Sequence, residues 1–151
     1  MTPFRLAVHN ESHKLLGYWW LRQHETGYAL TFRHPISREF KFISADHPED
    51  IVKHFYTTYL GYLDALILGM DNAIKDVPDE DCRRPGFRPN HFRNLRRELV
   101  SRRANIICRS RERYAEAVST LRERGWPPVP PPPCFHMDIS RAATSSRSYH
   151  L

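Results

Sequence analysis

The chemistry most evident in this sequence is that of guanidinium groups, which are concentrated in one segment. Between Arg88 and Arg124 there are 11 arginines and 4 glutamates, a net charge of +7, whereas the whole chain carries +6. Guanidinium groups bind carboxylates and phosphates through paired hydrogen bonds, and each neutralised phosphate releases condensed counterions. The segment therefore predicts a surface for DNA, RNA or an acidic protein. GC-rich codon usage is the alternative explanation of the arginine excess.

A helical wheel gathers five of these arginines in a broad sector of one helix, turned away from its apolar stripe. The five are Arg93, Arg96, Arg97, Arg103 and Arg111. The stripe consists of Phe92, Leu95, Leu99 and Ile106. We call the five arginines the arginine ridge and predict that they bind the partner. Two alternatives stay open: the ridge is only a solvated helix face, or the acidic run 79–81 neutralises it within the chain.

A second candidate surface comes from the first 45 residues, whose apolar positions alternate as in β-strands. One alternating set is predicted to face a helix: Phe4, Leu6, Tyr18, Leu30 and Phe40. The opposite face then carries the other set: Arg5, His9, Trp19, Arg33 and Lys41. An indole among cations can stack on bases or on a protein, so Trp19, Arg33 and Lys41 join the predicted binding residues. The alternative is that a further helix covers this face and buries Trp19.

The sequence has no motif for catalysis, for a cofactor or for a metal. There is no Gly-x-Ser-x-Gly, no Cys-x-x-Cys pair and no phosphate-binding glycine loop. Cys134 and His136, joined by Cys82 and His91, come nearest to a zinc site but lack the usual ligand spacing. We predict no catalytic residue, no metal and no cofactor. A small enzyme assembled from distant Asp, Glu, His and Arg residues is the remaining alternative.

The elements that must position these surfaces predict an α+β domain over residues 1–126. Four alternating apolar runs, separated by turn residues, predict an N-terminal four-stranded antiparallel meander. Asp46 as N-cap, with Glu49 in the first turn, predicts a long helix over 47–75 that packs on the sheet. Its apolar stripe is wide, which predicts burial on more than one side or a homodimer through this helix.

The rest of the chain is predicted to contain a loop, the arginine-rich helical segment and a tail. Three prolines and a glycine predict a loop over 76–89. The helical period from Asn90 predicts one helix, or two broken near 105–110, with Gly125 as the end. Six prolines at the start of 127–151 predict a polyproline II segment and a flexible tail.

These features favour a non-enzymatic accessory or regulatory protein that binds nucleic acid through its arginine-rich helix. The alternative is an inhibitor or adaptor of the phage or mobile-element type, which binds another protein such as a nucleic-acid-handling defence complex. No apolar run is long enough to span a bilayer and no signal peptide is evident, so we predict no membrane partner and a cytoplasmic location. Three widely spaced cysteines predict free thiols.

Overall fold

The computed structural model describes residues 1–78 and 90–128, and these form an α+β fold. The strands are β1 (Phe4–His9), β2 (Leu15–His24), β3 (Gly27–Arg33) and β4 (Phe40–Ala45). The helices are α1 (Pro48–Lys75) and α2 (His91–Glu123). The strands pair antiparallel in the order β1-β2-β3-β4, which confirms the predicted meander. Most of the predicted loop, including the acidic run 79–81, and nearly all of the predicted tail lie outside the described residues.

The start of α1 differs from the prediction by one residue. His47, with extended backbone angles (φ −119°, ψ 142°), is the N-cap, and Pro48 occupies the first helical position. The fixed φ of proline suits that position, and its missing N–H has no partner to lose there. Asp46 is therefore not the cap, and no side chain caps this helix end. Glu49 and Asp50 still place favourable negative charge in the first turn.

α1 is the central element of the core and is buried on two sides, as its wide apolar stripe predicts. It packs on β2, β3 and β4 and also on α2. Its buried side chains are Ile51, Val52, Phe55, Tyr56, Tyr59, Leu60, Tyr62, Leu63, Ile67 and Met70. Since the chain itself covers this stripe, only Leu68 remains as an exposed large apolar side chain on α1. The homodimer through this helix stays a prediction.

α2 is one continuous helix, without the break considered near 105–110. It runs antiparallel to α1, because Arg103 pairs with Asp71 near the end of α1 whereas Tyr114 stacks 6.4 Å from Tyr59. Its buried residues continue the predicted stripe toward the C-terminus: Phe92, Ile106, Ser110, Tyr114, Ala117 and Leu121. The two helices therefore form a hairpin on one face of the sheet.

The C-terminus of α2 is closed by glycine, as predicted. Gly125 has φ +83°, and the amides of Gly125 and Trp126 donate to the carbonyls of Arg122 and Leu121 at 3.1 and 3.0 Å. Glycine adopts this left-handed conformation without the Cβ clash of other residues. The turn delivers Trp126 into the core, where its Nε1–H donates to the Thr2 carbonyl at 2.8 Å. The end of α2 is thereby fixed to the start of β1.

The face assignment predicted for β2 is wrong. Trp19 is buried, with 1% of its surface exposed, whereas Tyr18 and Trp20 are 41% and 38% exposed. Paired residues in an antiparallel sheet share a face, and the pairs Phe4↔Leu21 and Leu6↔Trp19 put Trp19 on the helix side. A register shift opposite Val8 and His9 adds one residue to β2, and such a bulge inverts the alternation beyond it.

The face assignment predicted for β4 is also wrong, because the register between β3 and β4 decides which residues of β4 face the core. Leu30 pairs with Ile43, so Ile43 takes the core position. Phe40 and Phe42 then point to the other face, where they are 66% and 58% exposed. Lys41 pairs with Phe32 on the helix side of the sheet, and its Nζ reaches Glu39 at 3.0 Å at the rim. Lys41 is therefore not on the face opposite the helices, as predicted.

Candidate nucleic-acid interface

The face of the sheet opposite the helices carries aromatic and cationic side chains, and no described element covers it. We call it the open face and define it by its exposed aromatic and arginine residues. They are Arg5, Tyr18, Trp20, Arg22, Arg33, Phe40 and Phe42. Exposed rings alone form platforms for planar ligands, and interleaved cations add attraction for anions.

The strand register arranges these side chains in rows. Arg5, Trp20, Thr31 and Phe42 are successive partners across the four strands. Tyr18 is two residues from Trp20 along β2, and Phe40, the partner of Arg33, is two residues from Phe42 along β4. Strand geometry separates the two rows by about 7 Å, and it separates Trp20 from Phe42, which lie two paired strands apart, by about 10 Å. The open face is thus a trough with aromatic walls on β2 and β4.

The floor of this trough is made of small side chains of β3. Thr31 is only 8% exposed although it lies on the open face, because Trp20 and Phe42 flank it. Its Oγ1 is buried and has no hydrogen-bond partner within the structure. A hydroxyl can donate one hydrogen bond and accept two, and a buried one without partners calls for an explanation. The flanking rings of Trp20 and Phe42 keep this hydroxyl out of contact with the surface of the trough.

Arg5 is held over the aromatic wall of β2. Its guanidinium carbon lies 4.4 Å from the centroid of Tyr18 and 5.5 Å from that of Trp20. Contacts of this length are cation–π interactions, worth about 0.5–1 kcal/mol at exposed sites. The charge of Arg5 is therefore positioned beside both rings rather than sampling solvent freely.

A groove extends the open face at the end near the β2–β3 turn. It has a volume of about 880 Å³ and is lined by residues of that turn and of β4, among them His24, Phe42 and Ser44. The His24 ring lies 6.3 Å from that of Phe42. Glu25 and Asp46 also line the groove, so this end offers hydrogen-bond acceptors, whereas the opposite end of the trough carries Arg33.

The five arginines of the predicted ridge do not form one surface. Arg103 is paired with Asp71 of α1, and Arg96 donates to the Val77 carbonyl at 3.4 Å. Both therefore lie along the junction of the two helices. Arg93 and Arg97 are exposed and Arg111 is half-buried, with its Nε buried and unpartnered within the structure. Arg93 and Arg111 are five turns apart, about 27 Å along the axis.

Other arginines of α2 stabilise contacts between elements. Arg124 donates to the Pro3 carbonyl, and its guanidinium carbon lies 5.8 Å from the Phe4 ring. An amino group of Arg113 lies 3.5 Å from Nδ1 of His13 in the β1–β2 turn. Much of the charge that the sequence concentrates in 88–124 is thus used inside the molecule.

The binding residues predicted on the sheet are only partly brought together. Arg33 lies on the open face as predicted. Trp19 lies in the core, where its ring is 4.7 Å from that of Phe32 and 5.8 Å from that of Tyr59. Trp19 is therefore buried, as the alternative held, but it lies on the side of the sheet that α1 covers; no described element covers the opposite face, where the alternative placed a further helix.

The histidines nearest α2 are surrounded by positive charge. Burial, with the nearby Arg113 and His13, lowers the pKa of His9. Burial, with Arg109 and Arg113, lowers the pKa of His13. Beside them, the hydroxyl of Tyr62 donates to the His9 carbonyl, and burial raises the pKa of Tyr62 to about 12. Each of these shifts favours the uncharged form of its group, which fits a structural junction between α2 and the β1–β2 turn.

Sequence reasoning missed four surface rings: Tyr18 and Phe40 were predicted to face the helix, and Trp20 and Phe42 follow them two residues later on the same face. The register could have revealed them, since Arg5 and Arg33 are paired with Trp20 and Phe40. A charged residue that cannot enter the core fixes the face of its cross-strand partner. The two arginines thus carried the missing signal.

The described residues offer neither a metal centre nor a membrane span. Within 1–78 and 90–128, no group of three or more His, Cys, Asp or Glu side chains could hold a metal ion. No helix of that part of the chain is long and apolar enough to cross a membrane. Of the four residues considered for zinc, only His91 is among those described. Comparison with protein family models, with curated proteins and with solved structures finds no match for this chain.

Proposed function

We propose that this protein binds single-stranded nucleic acid on the open face of its sheet. One observation carries the proposal: four exposed aromatic rings on β2 and β4 share that face with three arginines, over a floor of small side chains. Exposed apolar patches on a protein surface often mark an interaction site. Base–aromatic stacking beside a cationic backbone contact is the usual way in which proteins hold single strands.

The geometry favours a single strand over a duplex. Stacking on Trp20 or Phe42 needs the flat face of a base, and a duplex hides those faces in its own stack. The trough is lined by two rows of rings about 7 Å apart, so neighbouring unstacked bases can be held in sequence.

α2 is less suited to be the main interface. Its arginines Arg96 and Arg103 are bound to α1 and to the residues that follow it, and removing them from those contacts would cost hydrogen bonds of charged groups. The exposed Arg93 and Arg97 remain on the surface, but no exposed Phe, Tyr or Trp ring accompanies them on that helix. Nucleic acid bound there would be held by charge alone.

The proposed site predicts a moderate salt dependence. Three arginines lie on the open face: Arg5, Arg22 and Arg33. If each neutralises one phosphate, log K should fall with log salt with a slope of about −2, since single strands give about −0.7 per contact. Stacking energy does not depend on counterion release, so measurable binding should persist at salt concentrations that would abolish a purely electrostatic complex.

The test is fluorescence anisotropy with a labelled deoxythymidine dodecamer and with the matching duplex. We expect the wild type to prefer the single strand and the double variant Trp20→Ala/Phe42→Ala to lose most of that binding. Leu68→Ala is the matched control, since it removes an exposed apolar side chain from the far side of α1. Preference for the duplex, or full binding by the double variant, would refute the proposal.

A second candidate, a protein partner, is favoured by the position of Phe40 and Phe42. β4 is an edge strand of the described sheet, and an extended peptide can add to such an edge while its side chains contact the exposed rings. A complex of this kind would depend on Phe40 and Phe42 but little on salt. The salt series above therefore separates it from nucleic-acid binding.

A further inference from the structure

A narrow cleft opens at the end of the sheet, next to the open face. The β2–β3 pairing ends at Trp20↔Thr31, although β3 continues to Arg33 and β2 begins at Leu15. The unpaired ends separate and leave a space of about 20 Å³ that is lined by Tyr18, Trp19, Arg33, His34 and Arg38. A cavity of this size holds one water molecule or one ligand oxygen.

The polar groups around this cleft are predominantly hydrogen-bond donors. Arg33 and Arg38 bring two guanidinium groups, which can only donate. Among the described residues that line the cleft, none carries a carboxylate.

His34 adds a further donor. Its Nδ1 accepts hydrogen bonds from the amides of Ile36 and Ser37 at 3.2 and 3.1 Å. The neutral ring must therefore carry its proton on Nε2. The same turn holds Arg38 in a left-handed conformation (φ 66°), with its amide donating to the His34 carbonyl at 2.8 Å. The loop thus fixes His34 and Arg38 side by side at the cleft.

We propose that this cleft is a phosphate subsite. One phosphate oxygen enters the cleft beside Trp19, and Arg33 and Arg38 bind the oxygens that remain at the mouth. Guanidinium–phosphate hydrogen bonds are among the strongest that proteins make. The inference rests on the proposed function in one respect: Tyr18 belongs both to the cleft and to the open face, so the phosphate is the terminal phosphate of a strand stacked there. Inorganic phosphate offers the same oxygens and is the second source.

The first experiment detects the subsite without nucleic acid. Inorganic phosphate is titrated into ¹⁵N-labelled protein, and the three tryptophan indole resonances are followed after assignment with Trp20→Phe and Trp126→Phe. Because Trp19 lines the cleft, we expect its indole signal to shift and saturate, while those of Trp20 and Trp126 stay in place. If the Trp19 signal does not change at tens of millimolar phosphate, the cleft holds only a water molecule and the subsite is refuted.

The second experiment identifies the source of the phosphate. Deoxythymidine dodecamers with and without a terminal phosphate, at either the 5′ or the 3′ end, are compared on the wild type and on Arg38→Asn, which keeps a residue that tolerates the left-handed conformation. We expect one phosphorylated end to bind about tenfold tighter and Arg38→Asn to abolish that gain. Arg122→Asn, remote on α2, is the matched control and should keep it.

The outcomes separate the two proposals. If the dodecamers bind but neither terminal phosphate adds affinity and Trp19 ignores phosphate, the subsite is wrong and the open face stands. If phosphate shifts Trp19 while no oligonucleotide binds, the subsite stands with free phosphate as its ligand, and the proposed function is wrong.

Discussion

The replacement Trp20→Ala probes the open face at its centre. Trp20 is 38% exposed, pairs with Arg5 and Thr31 across the sheet and lies 5.5 Å from the Arg5 guanidinium. Removal of one stacking ring costs about 1–3 kcal/mol of binding, which corresponds to a Kd about 5- to 150-fold weaker. We therefore expect a loss in that range for a deoxythymidine dodecamer.

The same replacement should leave the fold intact. The indole of Trp20 is outside the core cluster, and its lost cation–π contact is worth about 0.5–1 kcal/mol. By contrast, Trp19→Ala empties a fully buried position and should cost about 3–5 kcal/mol of unfolding free energy. Urea unfolding of both variants checks this ordering, which follows directly from the face that each indole occupies.

The assay for Trp20→Ala is anisotropy at two salt concentrations, with Arg97→Ala on α2 as the matched comparison. The open face predicts a large loss for Trp20→Ala and a loss of less than about twofold for Arg97→Ala, since a single exposed charge contributes little. If Trp20→Ala binds like the wild type while Arg97→Ala is strongly weakened, the ridge on α2 is the interface and the reasoning from the sheet is refuted.

Three further predictions concern the scaffold. Asp71→Asn should lower the free energy of unfolding by at most about 1 kcal/mol, because the ion pair that it removes between Asp71 and Arg103 is partly exposed to water; an unchanged urea midpoint would show that the pair contributes nothing. The folded protein lowers the pKa values of His9 and His13, so the unfolded chain binds more protons and stability should fall as pH drops below about 6.5. Urea midpoints measured on either side of that pH check this, and the double variant His9→Gln/His13→Gln should lose the dependence. Gly27→Ala should destabilise the β2–β3 hairpin by about 1–3 kcal/mol, because φ there is +154° and a Cβ would lie 2.7 Å from the Ala45 carbonyl oxygen; a wild-type melting temperature would contradict this turn geometry.

The sequence predicted the elements well because periodicity and turn residues are local signals. The four strands, the long α1 and the glycine-terminated α2 all follow from alternation, helical spacing and Gly125. The faces of β2 and β4 were not predictable in the same way. They depend on cross-strand register, and a one-residue bulge opposite Val8 and His9 exchanged Trp19 with its neighbours.

The candidate site could be predicted only in part because charge was counted without its partners. The wheel placed Arg96 and Arg103 on the outside, yet Arg103 contacts Asp71 of α1 and Arg96 contacts the Val77 carbonyl just after α1. Such contacts join residues far apart in the chain, and no periodicity within α2 encodes them. Arg33, whose outward face follows from its charge and strand position, was predicted correctly.

The most direct test of the central claim is an NMR titration of the labelled protein with a single-stranded dodecamer. Binding on the open face predicts that the largest chemical-shift changes occur at Tyr18, Trp20, Thr31 and Phe42, with little change along α2. Changes concentrated between Arg93 and Arg111, with an unperturbed sheet, would contradict it.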